Sequence, residues 1–182
     1  MNVLAWSLAI GIPPLLLGIA MLAMPVKAAG WLTSFGDSKR IAWVLVPVGW
    51  FWTAHELDVI GIEVFDRFLK IFPGELWILA IVLIPLTIAW MPKHIAMRGL
   101  SAVLMLYPAT FFQCARLVES DWRLVAVSWT YWCIVLGMFS MFYPWRTQKA
   151  LEWIAAARWR MRAAGAVHVA AGAAVVVAAL LA

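Results

Sequence analysis

Charged residues are scarce in this chain. They make up 13% of its 182 residues, against about a quarter in an ordinary soluble domain. Cysteine is almost absent too. The only two, Cys114 and Cys133, lack the CxxC spacing of a zinc or redox motif and give no disulfide framework. There is no HExxH, no GxSxG, no Walker pattern and no paired Asp cluster. No long hydrophilic stretch is available to fold a catalytic domain beside the apolar segments. The three histidines, His55, His94 and His168, are far apart in sequence. A net charge of +5 could point to nucleic acid, but the bases are scattered among loops rather than gathered in a patch.

What is present is apolar: 66% hydrophobic residues, with mean hydropathy +0.93. A soluble chain this short could not bury so much apolar surface, so its solvent is lipid. The length suits one domain, residues 1–182. The first 26 residues lack a basic start and run apolar for about the ~20 residues that a bilayer requires. They read as a span; a cleavage site around Ala20–Ala23 is the weaker reading.

The pattern predicts an all-α integral membrane protein, a six-helix transmembrane bundle. The spans fall at about 3–24, 41–59, 76–90, 99–114, 122–143 and 163–182. Pro13-Pro14, Pro47, Pro85 and Pro108 lie inside the first four spans and should kink them or interrupt their hydrogen-bond ladders. Residues 28–40, rich in Gly and Ser, read as a loop. Two short interfacial amphipathic helices are expected. One covers Ile62–Phe72, with Glu63/Arg67 and Asp66/Lys70 as i,i+4 pairs, and the other covers Arg146–Arg162.

Ten of the 14 Lys and Arg residues fall in the first, third and fifth loops: Lys27, Lys39, Arg40, Lys93, Arg98, Arg146, Lys149, Arg158, Arg160 and Arg162. Most acids fall in the second and fourth. By the positive-inside rule the odd loops are cytoplasmic, both termini face out, and the location is the cell membrane. Most of the 13 tryptophans sit near span ends, as an aromatic belt would place them; Trp129 and Trp132 lie deeper. The first and fifth spans end alike, LLLGIAMLAMPVK against IVLGMFSMFYPWR, and the third leaves through Met91-Pro92-Lys93. Three helical hairpins of one type would explain this. So would a general tendency of helices to leave lipid with Pro plus a base.

The densest titratable cluster is His55, Glu56 and Asp58, near the outer end of the second span. His55 lies roughly 22 Å along the helix from Arg40, inside the outer part of a hydrocarbon core about 30 Å thick. An ionisable group there is costly unless paired or hydrated, so His55, Glu56 and Asp58, with Arg116 as partner, form the candidate polar site. An outer ion pair that fixes helix register is the plainer explanation. His168, among Ala164, Gly165, Ala171 and Gly172, is expected to hydrogen-bond across a tight helix contact. Tyr107, Thr110 and Gln113 form a polar stripe on the fourth span, with Ser128, Tyr131 and Ser140 as counterparts on the fifth. Polar stripes in lipid usually face another helix. His55 and His168 differ by roughly 13 Å in depth, which argues against a shared haem. No cofactor, metal or catalytic residue is assigned.

Three functions fit these features. A non-enzymatic subunit or scaffold in a larger membrane assembly fits the short loops and missing motifs. Its partners would be the bilayer and a membrane protein or a second copy. A small carrier or channel fits the prolines within spans. A lipid- or quinone-interacting membrane enzyme or redox subunit would use the outer-side cluster of His55, Asp58 and Arg116. The balance is against an enzyme.

Overall fold

The computed structural model describes residues 3–60, 75–91, 93–116 and 119–181. The expected amphipathic helix at Ile62–Phe72 lies outside them, as does the side chain of Asp58. The described residues form eight α-helices and no strand: α1 (Val3–Ala23), α2 (Pro25–Phe35), α3 (Lys39–Ile60), α4 (Glu75–Trp90), α5 (Ile95–Ala115), α6 (Arg123–Phe142), α7 (Pro144–Ala155) and α8 (Arg158–Leu181). Four of these, α1, α5, α6 and α8, are long and apolar enough to cross a membrane. The α4 helix is apolar but has only 16 residues, or about 24 Å of length. The α3 helix is longer, but polar residues at both ends dilute its hydropathy.

Helix directions follow from which residues touch. Gly11 and Gly18 of α1 meet Gly172 and Gly165 of α8, so these two helices run antiparallel. Gly99 of α5 packs on Leu45 of α3, and Thr110 reaches Glu56, so α3 and α5 run parallel. Gly137 of α6 sits on Leu104 and Met105 of α5, while Tyr131 meets Phe112; that pair is antiparallel. Trp50 bonds Thr87 while Phe51 lies against Trp77, so α4 opposes α3. Successive long helices therefore alternate in direction.

The α1–α8 contact is the most extensive in the molecule. Two glycines seven residues apart on each helix bring the backbones together. A Cβ on Gly18 would lie 2.6 Å from the Gly165 carbonyl oxygen, and one on Gly172 would lie 2.6 Å from the Leu15 nitrogen. Small residues at such a seam let van der Waals contact bind two helices where lipid removes the hydrophobic driving force.

Two expectations are corrected at one end of the bundle. Residues 28–40 are mostly helix, not loop. Pro25 opens α2 at its first turn, where a missing N–H does no harm. Ala28, Leu32 and Phe35 then bury one face. Thr33 and Ser34 satisfy their hydroxyls on carbonyls of their own helix. Tertiary burial here outweighs turn-like composition. The second interfacial helix is also shorter than expected, because the chain turns at 156–157 and Arg158–Arg162 joins α8. Arg160 folds back there, donating to the Trp153 carbonyl at 2.8 Å with its guanidinium 4.2 Å from the Trp153 ring. The prolines inside α1, α3, α4 and α5 leave each helix continuous.

The α2 and α7 helices have matching entries. Met24 (φ −133°, ψ 61°) and Tyr143 (φ −126°, ψ 55°) precede Pro25 and Pro144 in almost one conformation. The two short helices pack together, and Gln148 of α7 donates to the Thr33 carbonyl at 2.7 Å. The shared Pro-plus-base ending seen in the sequence thus corresponds to a shared helix–turn–short-helix unit at the ends of α1 and α6.

Outward faces are mostly apolar. Ile78, Val82, Val135, Phe142, Val167 and Leu180 are all more than half exposed. A soluble monomer rarely leaves so much contiguous apolar area in water. The architecture is that of an all-helical bundle compatible with a membrane.

Candidate functional site

The second span's polar cluster separates once α3 is packed. Successive helical residues point about 100° apart, so His55 and Glu56 cannot share a direction. His55 faces outward and is exposed. Glu56 faces inward and is only 6% exposed. Its carboxylate oxygen Oε1 accepts the Thr110 hydroxyl at 2.5 Å and the Trp52 indole N–H at 3.1 Å. The same indole N–H approaches Thr110 Oγ1 at 3.3 Å. Trp52 stands four residues before Glu56, on the same face and one turn away.

Aromatic rings close the site. Trp6 of α1 lies 5.9 Å from Trp52 and 5.8 Å from Tyr107 between ring centroids. The Tyr107 hydroxyl donates to the Trp6 carbonyl, tying α5 to the first turns of α1. Phe111 stacks on Tyr107 at 5.6 Å and is fully buried. Ile10, Ala126, Cys133 and Val175 complete this core, so α1, α3, α5, α6 and α8 converge on it. Trp129 packs there too, with its buried indole N–H lacking a protein partner.

Arg116 is exposed at the C-terminal end of α5 and forms no ion pair with Glu56; neutral donors hold that carboxylate instead. The expected His55–Glu56–Arg116 grouping is therefore not formed, and Asp58's side chain lies outside the described residues. His168 also differs from expectation. Its Nδ1 is paired with the Ala164 carbonyl one turn back at 2.8 Å, within α8, and it is only half-buried. The tight contact beside it belongs to Gly165 and Gly172. The polar stripe divides. Tyr107 and Thr110 face inward, whereas Gln113, Ser128 and Tyr131 are exposed, Tyr131 by 58%. Cys114 and Cys133 are free thiols, both buried.

A second polar group ties the opposite end. Gln148 is 4% exposed; besides Thr33 it donates to Glu152 at 3.2 Å. Gly36 makes room for it: a Cβ there would lie 2.5 Å from Gln148 Oε1. His94 adopts a left-handed conformation (φ 55°) ahead of α5, and its backbone N–H donates to Asp37 at 3.2 Å. The His94 ring is 3.5 Å from the same carboxylate.

Trp52, Gln148, Gly11 and Gly18 carry these contacts and were not singled out by sequence reasoning. Trp52 could have been found from its i−4 relation to Glu56. The Gly11/Gly18 spacing matches Gly165/Gly172, which was a usable signal.

Chemically, the inner site offers one carboxyl group among neutral donors and aromatic rings. Among the described residues no group of three or more His, Cys, Asp or Glu could hold a metal ion. A shallow recess between α3 and α4, lined by Trp50, Ala54, Leu57, Leu76, Leu79 and Ala80, has a volume of about 30 Å³, far below the roughly 300 Å³ at which ligand pockets begin. Compared with protein-family models, curated proteins and solved structures, the chain matches none.

Proposed function

We propose that this chain is a non-enzymatic, six-pass membrane protein that serves as a subunit or scaffold within a larger membrane assembly. The observation carrying this reading is how its inward polar groups are used. Ser101, Thr130, Thr53 and Thr87 each donate to a carbonyl one turn back on their own helix. Glu56, Thr110 and Trp52 satisfy one another. The intrahelical bonds satisfy four hydroxyls without opening a polar path, while the Glu56–Thr110–Trp52 group and the Trp50–Thr87 bond tie α3 to α5 and to α4.

The six passes would be α1, α3, α4, α5, α6 and α8, supported by their alternating directions. The α4 helix is shorter than a bilayer core, a mismatch that local thinning of the bilayer accommodates at modest cost. Lys27, Lys39, Lys93, Arg146 and Lys149 belong to the end where α2, His94 and α7 meet, and the positive-inside rule makes that end cytoplasmic in the cell membrane.

The test is purification in mild detergent, with mass spectrometry of what co-elutes and an absorption spectrum of the same peak. A protein partner at fixed ratio is expected. A lone, colourless bundle would overturn the subunit reading and favour a small carrier, and Glu56, the one buried acid among the described residues, would then be the residue to substitute.

A further inference from the structure

The divided polar stripe leaves hydrogen-bonding groups on an outer face at membrane depth. Gln113 of α5 and Ser128 and Tyr131 of α6 are exposed. Tyr131 lies eight residues into α6, about 12 Å from its start. Its ring is 5.1 Å from Phe112, which places Gln113 at nearly the same height. Amide and hydroxyl groups facing hydrocarbon are costly, and in membranes such groups characteristically bind a further helix. Just above them, at the outer edge of the same seam, Arg116, Glu119 and Asp121 are all exposed.

We propose that the chain forms a two-fold homodimer through this outer half of the α5–α6 seam. It rests on the membrane-subunit reading above. A two-fold axis along the membrane normal lays α5 of each copy against α6 of the other at equal heights. The amide of Gln113 then meets Tyr131 and Ser128 of the second copy, each able to donate and accept. Arg116 meets Glu119 and Asp121. The patch carries base and amide on one helix, and acid and hydroxyl on and before its neighbour. It is complementary to itself in both charge and hydrogen bonding, as an isologous contact requires. A neutral lipid tail matches neither feature.

The test uses two differently tagged full-length chains expressed together in native membranes, one with Gln113→Cys and the other with Tyr131→Cys. The buried Cys114 and Cys133 stay in place. Mild oxidation should link the two tags several-fold more than a control pair in which both chains carry Leu180→Cys on α8, a position 67% exposed. Arg116→Glu in both chains should lower the yield. Adding Asp121→Arg should restore it, which a loss of folding would not permit. Linkage no greater than the Leu180 control overturns the dimer. So does an adduct with a protein of another mass, but that outcome leaves the subunit reading standing. Linked tags with nothing else co-purifying keep the dimer and remove the larger assembly.

Discussion

Gly18→Ala is the sharpest perturbation of this bundle. The new Cβ would sit 2.6 Å from the Gly165 carbonyl oxygen, 2.7 Å from the Val169 nitrogen and 2.8 Å from Val169 Cγ2. Two of these three are backbone atoms of α8 and cannot move by rotating a side chain. Overpacking a core costs about 1–3 kcal/mol, and backbone opposition places this case near 3. Alanine recovers about 1 kcal/mol of helix propensity. The net loss is about 2 kcal/mol. For a chain of this length each kcal/mol moves the melting temperature by about 2–4 °C, so the drop should be about 4–8 °C. Gly30→Ala is the control. Nothing lies within 4 Å of its Cβ position, and Gly30 sits inside α2. That variant gains up to about 1 kcal/mol of helix propensity and should melt about 2–4 °C higher than the native chain. Both are read with a fluorogenic maleimide during heating, because Cys114 and Cys133 are buried until the bundle opens. A Gly18→Ala variant that melts at or above the native temperature, or a Gly30→Ala variant that falls as far, would refute the close contact between α1 and α8.

The same melting assay checks three further substitutions. Glu56→Ala removes the acceptor of the Thr110 hydroxyl and the nearer of two acceptors of the Trp52 N–H and should cost about 1–3 kcal/mol, whereas Glu56→Gln keeps an acceptor and should cost less. An equal loss from both would mean the charge, not the hydrogen bonding, matters. Tyr107→Phe removes only the bond to the Trp6 carbonyl and should cost about 1 kcal/mol, with no change counting against that tie. Gln148→Leu removes the α7-to-α2 bond and leaves the Thr33 carbonyl unpaired at that contact, at about 1–3 kcal/mol; an unchanged melt would remove Gln148 from the account.

The helical class and the apolar exterior were legible because hydropathy is a sum over many residues and tolerates local error. Helix ends were legible to within two residues for α1, α3, α4 and α6. The α2 helix was not, because Gly30 and Ser34 look like turn residues and only burial of Ala28, Leu32 and Phe35 reveals the helix. The candidate site was half legible. Glu56, Tyr107 and Thr110 were named, but a one-dimensional cluster such as His55–Glu56–Asp58 spans much of a helix circumference. Adjacent residues there face lipid and core by turns. Height along the axis can be estimated from residue number; azimuth needs the neighbours. For the same reason Arg116 looked like a partner at the right depth and faces another direction. His168 drew attention as a lone imidazole, while the glycines three and four positions away form the contact.

The proposed six-pass arrangement is tested most directly by cysteine accessibility in intact cells. Glu75→Cys at the start of α4 and Lys93→Cys just before α5 are each probed with a membrane-impermeant maleimide. With six passes, Glu75→Cys is labelled from outside, and Lys93→Cys only after permeabilisation. Protection of both until permeabilisation would put the two ends of α4 on one side of the membrane and contradict that arrangement.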